Sequence, residues 1–231
     1  MARLIFLLAV FMPLFLLAFR ADEWVTDAKR MSKVETKISR REQILSALAE
    51  KLEDSPGERI TTAVLAKAVG VSEAALYRHF PSKTKMFEGL IEFIEETVFS
   101  QISLVITQER SAVKRCELII NTLLVFAEQN PGMSRLLVGD VLTGETERLR
   151  HRIVQFFERI ETQLKQTLRD AELRNNLQAA LPAATFAHFL MAYVDGAILQ
   201  FVRSEFHNTP SLHWREQWKL LAPLLIHLEL G

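Results

Sequence analysis

Residues 61–85 read TTAVLAKAVGVSEAALYRHFPSKTK, and this stretch decides the fold. Thr61 and Thr62 can accept hydrogen bonds from the free N–H groups that open a short helix, whose inner face is expected to be Val64, Leu65, Ala66 and Val69. Gly70 follows, where a tight turn needs positive φ at no side-chain cost. Val71 plugs the crossing, and Ser72 caps a second helix that is expected to bury Ala75 and Leu76. Ala66, four residues before the glycine, lets the two helices cross closely. Caps, turn glycine and apolar spacing together predict a helix-turn-helix whose second helix can enter a major groove.

The residues left on the outside of that second helix point the same way. Glu73, Ala74, Tyr77 and Arg78 remain on its outer side once Ala75 and Leu76 point inward, and Ser72 and Glu73 lie at the N-terminal end, which meets base edges in this geometry. Glu73 can accept from a cytosine amine or repel wrong sites. Tyr77 and His79 offer donors for phosphate oxygens, although an aromatic such as Tyr77 also suits the rim of a core. Pro81-Ser82-Lys83 opens a further helix, whose free N–H groups add an anion site. Ahead of the first helix, Lys37, Arg40 and Arg41 are either a solvated face or a basic arm. Residues 31–90 hold ten Lys or Arg against eight Asp or Glu, so any DNA contact rests on placement and not on bulk charge.

The whole chain has 231 residues, 49% of them hydrophobic, and zero formal net charge. That length buries a substantial core, and that composition excludes disorder. A single cysteine, Cys116, excludes a disulfide framework and a cysteine-based zinc finger. No Asn-Gly or Asp-Gly hairpin signal separates alternating runs; apolar residues recur at helical spacing instead. The expected class is all-α. Ser39 and Glu42 form a capping box at the head of the first helix, and Ile44, Leu45, Leu48 and Leu52 make its inner face. Asp54-Ser55-Pro56-Gly57 stops it, and later helices are expected near 62–69, 72–79, 83–107, 111–129, 133–142, 145–174, 182–206 and 212–229.

The first thirty residues differ from the rest. Leu4–Phe19 is one apolar run, short for a bilayer and broken by Pro13. A start at Met31 is expected, with a membrane tether and a cleaved signal as the other readings. The resulting organisation is a doubtful extension over 1–30, a helix-turn-helix domain over 31–84 and a helical dimerisation and partner-binding domain over 85–231.

In the C-terminal half, residues 182–206 are apolar nearly all round. Such a helix is buried, and a second copy of the chain is the economical cover. With 212–229 it predicts an isologous four-helix homodimer interface, in which His188 and Asp195 are hydrogen-bonded polar residues. Two recognition helices would then meet half-sites about one helical turn, ~34 Å, apart. No G-x-S-x-G, phosphate loop, H-E-x-x-H or i,i+4 histidine pair occurs, so neither catalysis, a metal nor a cofactor is expected.

Residues 70–96, GVSEAALYRHFPSKTKMFEGLIEFIEE, resemble the DNA-binding domain of TetR-type transcription regulators, through the core Leu76-Tyr77-x-His79-Phe80-x-x-Lys83. The stretch from Ile60 is similar, more narrowly, to the nucleoid occlusion factors of that family, and the likeness continues weakly through 127–137, 156–169 and 201–206. This resemblance implies a cytoplasmic, nucleoid-associated dimer on palindromic double-stranded DNA. When DNA-bound it would block assembly of the tubulin-like division protein FtsZ, and no membrane association is expected. It implies that Thr61, Thr62, Tyr77, His79 and Lys83 hold the backbone while Ser72, Glu73, Ala74 and Arg78 lie against bases. It also implies that Phe93 and Asn130 dock the partner. Gln101 and Gln129 stand where basic residues are expected there, and Val125 where glycine is. Two other readings stay open: a TetR-type repressor enclosing a small-molecule effector, and an adaptor acting only through protein contacts.

Overall fold

The structure, a computed structural model, describes residues 39–54, 60–142, 147–175 and 180–225. The expectations for Leu4–Phe19, Met31 and Lys37 lie outside the described residues, as do residues 55–59 after the first helix and the chain beyond 225. Every regular element among the described residues is a helix: α1 (Arg40–Asp54), α2 (Thr62–Val69), α3 (Glu73–His79), α4 (Lys83–Gln108), α5 (Ala112–Gln129), α6 (Pro131–Val138), α7 (Glu147–Asn175), α8 (Ala183–Arg203) and α9 (Trp214–Leu221). Short 3-10 turns follow α6 at Asp140–Leu142 and α9 at Ala222–Leu225.

Local chemistry sets the ends. The Ser39 hydroxyl accepts from Glu42 N–H at 3.2 Å while the Glu42 carboxylate accepts from Ser39 N–H at 2.7 Å, which is the reciprocal capping box. α6 begins at Pro131, not 133, because proline suits the first helical turn, where no N–H is needed. It stops at Val138 because Gly139 turns left-handed at φ 81°. α8 ends at Arg203, short of 206, since Glu205 and Phe206 take φ 51° and 67°. The expected 212–229 helix starts at Trp214, and its α-helical part ends at Leu221, just ahead of Pro223.

One contiguous core runs from Ile44 in α1 to Leu225. Between α4, α5 and α7 lie Ile94, Val98, Ile102, Ile119, Ile120, Leu123, Phe156, Ile160 and Leu164, all buried. Cys116 lies in this core, and burial pushes its thiol up to about 12, so it stays protonated and inert near neutral pH.

α8 is long and apolar enough, by composition alone, to cross a bilayer, yet it packs on α5, α6 and α7. Phe186, Ala187, Leu190, Met191, Val194 and Ile198 face that core. Within one protomer the other side of the helix stays open: Ala192 is exposed and Phe189 is 45% exposed. His188, expected at the interface with a second copy, lies on this open side, its side chain 77% exposed and Nδ1 3.9 Å from Glu161. Burial, followed by the Glu161 charge, raises the Asp195 carboxyl above its ordinary value.

α4 and α7 are pinned by charge. The Arg152 guanidinium donates to both Glu95 oxygens, at 2.7 and 3.2 Å, and to the Glu88 carbonyl at 3.3 Å. The Lys85 ammonium, 2.6 Å away, holds the Glu88 carboxyl below 4.5, with Arg148 and Arg152 adding to it against burial. A carboxyl depressed on folding adds stability above pH 4.5 and loses it as pH falls through its lower folded value. Glu88→Gln is expected to unfold at lower urea than the parent near neutral pH. The gap should close below pH 4.5, as followed by circular dichroism.

Candidate nucleic-acid interface

The helix pair α2–α3 is built as the spacing predicts. The Thr61 hydroxyl accepts from Val64 N–H at 3.3 Å. Gly70 sits at φ 71°, ψ 39°, where its N–H reaches Lys67 O at 3.2 Å and Val71 N–H reaches Ala66 O at 2.9 Å. These two bonds close the end of α2 and turn the chain into α3. Ser72 caps α3 by accepting from Ala75 N–H at 3.2 Å. Leu65, Ala66 and Leu76 are buried between the helices, whereas Ala75 is only half-buried. Val64 is 45% exposed, against expectation. In a two-turn helix whose inner stripe is Leu65, Ala66 and Val69, position 64 falls on nearly the opposite side.

Burial on one side leaves Ser72, Glu73, Ala74, Tyr77, Arg78 and His79 exposed on the other. Thr61 is exposed, Thr62 half-exposed, and Lys83 half-exposed with Nζ 5.3 Å above the Phe87 ring. Ser82 caps α4 by accepting from Lys85 N–H at 3.2 Å. The structure thus brings all nine residues proposed for DNA contact onto the α2–α3–α4 end of the molecule. In capping, Thr61 and Ser72 use a lone pair and leave the hydroxyl proton available for a phosphate.

Thr62, Glu73 and Tyr77 join in a way that spacing does not reveal. Tyr77 O–H donates to Thr62 Oγ1 at 3.3 Å, and Thr62 O–H donates to Glu73 Oε2 at 2.8 Å. In the free chain Glu73 is thus turned onto Thr62 and not held out toward a base. A phosphate arriving at Thr62 must displace this carboxylate and tolerate its charge. Glu73→Gln is expected to raise affinity for non-specific duplex about two- to fivefold and to narrow the specific-to-non-specific ratio. Fluorescence anisotropy at fixed salt measures both; a selective loss of specific binding would return Glu73 to base reading.

Arg41, read as a solvated face or a basic arm, has another task. Its guanidinium lies 4.5 Å from the Phe80 ring centre and 3.3 Å from Glu92, tying α1 to α4 across the end of α3. Arg40 bonds Gln43 at 2.7 Å.

The residues proposed to dock a partner separate. Phe93 is half-buried on α4 and keeps an accessible edge. Asn130 is 3% exposed; its Nδ2 donates to Phe126 O at 2.8 Å and it stands at the head of α6. An N-cap wedged between two helices closes a junction, so Asn130 offers no side chain to a docked protein in this arrangement. Gln101 is buried at 9% exposure, while Val125 and Gln129 are half-buried.

Comparison with known proteins fits this geometry. Residues 44–90 match the model of bacterial regulatory proteins of the tetR family, and residues 110–225 match the tetracyclin repressor-like C-terminal domain of SlmA-like type. The nucleoid occlusion factor SlmA of Marinomonas sp. (strain MWYL1) is 60% identical over 190 residues, covering 82% of this chain and 96% of that protein. That of Shewanella baltica (strain OS155) is 56% identical over 193 residues, covering 84% and 98%. Among solved structures, the transcriptional regulator FadR from Bacillus subtilis in complex with stearoyl-CoA superposes with a TM-score of 0.67 at 16% identity, covering 80% of this chain and 98% of that one. At that identity the likeness is one of fold.

Proposed function

This chain belongs to the SlmA family of nucleoid occlusion factors, within the TetR-type regulators, and from that membership we propose that it is a homodimer that binds palindromic chromosomal DNA and, once bound, restrains FtsZ assembly over the nucleoid. The observation that carries this reading is the exposed face of α3, flanked by hydroxyls of α2 and the head of α4, in a chain that matches nearly the full length of those relatives. Thr61, Thr62, Tyr77, His79 and Lys83 would hold phosphates; Ser72, Ala74 and Arg78 would read bases, with Glu73 as a gate. Its place is then the cytoplasm, on the nucleoid. No catalytic step is assigned to any residue.

Dimerisation through α8 and α9 follows from the apolar face that α8 leaves open and supplies the second recognition helix. Phe93, on the long α4 that continues out of the DNA-binding end, is the residue proposed for the FtsZ contact. Since α4 carries both Lys83 and Phe93, DNA binding and docking share one helix.

The deciding experiment mixes the purified chain with FtsZ and GTP, with and without a palindromic duplex, and pellets the polymer. Polymer should fall only when the duplex is present. Equal polymer in both conditions would overturn DNA-dependent antagonism.

A further inference from the structure

α1 lies ahead of the helix pair and α6 lies in the C-terminal body, yet their backbones touch. A Cβ placed on Gly132 would lie 2.0 Å from the Ala49 carbonyl oxygen, 3.0 Å from its carbon and 3.1 Å from Glu53 N. Two helices approach this closely only where one carries no side chain. One turn further along α6, Arg135 is 7% exposed. It donates through Nη1 to Leu52 O at 2.7 Å and through Nε to Asp140 at 2.9 Å. Leu52 lies in the last turn of α1, whose carbonyls lack helical partners, and a cation at that end also meets the negative pole of the helix. The two contacts pair Gly132 and Arg135 with Ala49 and Leu52, three residues apart on each helix. α6 itself is held to the body, since Ser134 is fully buried and donates to Ala127 O at 2.9 Å.

α1 in turn carries the recognition helix, because Leu48 of α1, Leu65 of α2 and Leu76 of α3 are buried in one core. Movement of α1 against α6 therefore moves α3 against the body. We propose that Gly132 and Arg135 are positioning residues for DNA recognition: they lock α1 onto α6, fix how α3 is carried relative to the dimer axis, and so set the half-site separation the dimer accepts. This role rests on the reading of the chain as a dimeric DNA-binding protein. A methyl at position 132 must push α1 back by about 1 Å or more, because backbone cannot yield as a flexible side chain can. At 135 a single-headed side chain cannot reproduce the forked bond to Leu52 O and Asp140.

The test uses the full chain with a palindromic duplex of natural spacing and with duplexes one base pair longer or shorter at the centre. One base pair shifts a half-site by about 3.4 Å and turns it by roughly a tenth of a helical turn. The parent should discriminate against both by about tenfold or more. Gly132→Ala and Arg135→Gln should each cut that ratio to a third or less, while sedimentation still shows a dimer. Arg135→Lys, which keeps the charge, should fall between. Folded variants with undiminished discrimination would overturn the role while leaving the proposed function standing. A parent that binds no palindrome would sink that function and this role with it. Variants that unfold would make the contact one of stability alone and equally overturn the role.

Discussion

A chain carrying Gly196→Arg is expected to sediment as a monomer and to bind a palindromic duplex about 10²- to 10⁴-fold more weakly than the parent. Phe189, Ala192 and Gly196 form a row at i, i+3 and i+7 along the open side of α8. Beside it runs a groove of about 460 Å³ lined by Ala192, Tyr193, Gly196, Ala197 and Gln200 from α8 and by Pro210, Leu212 and Gln217 beyond it. The Tyr193 hydroxyl donates to Gln217 and its ring lies 5.2 Å from Trp214, which ties this side of the groove to α9. A Cβ on Gly196 meets no heavy atom within 4 Å among the described residues of the chain. Arginine there therefore enters open space on this side of α8, and urea unfolding like the parent's would place its effect on whatever covers the face. Losing the second protomer converts linked binding at two half-sites into independent binding at each, hence the size of the loss. Unchanged sedimentation would move the interface elsewhere.

Phe80→Ala is expected to cost about 3–5 kcal/mol of stability, measured by urea unfolding, and to abolish specific DNA binding near physiological temperature. Phe80 is 1% exposed and follows directly on the recognition helix. Arg41 covers one side of its ring, and a Cβ on Gly89 of α4 would lie 2.9 Å from Cε1. Removing the ring leaves a void that α1, α3 and α4 all border, and Gly89 has no side chain with which to fill it. A loss below 1 kcal/mol would show that the site collapses without consequence. Loss of binding with full stability would instead make Phe80 a docking element.

Much of the molecule is legible in the residue order because short helices obey local rules. Ser39 with Glu42, Thr61, Gly70 and Ser72 act within three to five residues of themselves, and each bond found is one such a pattern can specify. Val64 shows the limit of the same logic. In a helix of eight residues the apolar stripe is too short to locate its own centre, so an outward valine reads like an inward one. α6 starts two residues earlier than its pattern predicts, because the Asn130-Pro131-Gly132 sequence reads as a break. Proline at the first helical position and a glycine pressed on α1 are both compatible with helix.

Residue order by itself determined the helical class, the capped and glycine-hinged pair, and the side of α3 that stays in solvent, because hydrophobic period and end-capping are local and act over a few residues. Only the tertiary structure decided that Glu73 is turned onto Thr62, that Arg41 covers Phe80, that Asn130 is sealed in a junction, and that α1 is locked to α6 through Gly132 and Arg135. Those are contacts between residues 11 to 83 positions apart, or the burial that follows from such packing. A polar or small side chain carries no sign of which distant backbone atom will stand opposite it; that is settled when close packing brings the helices together.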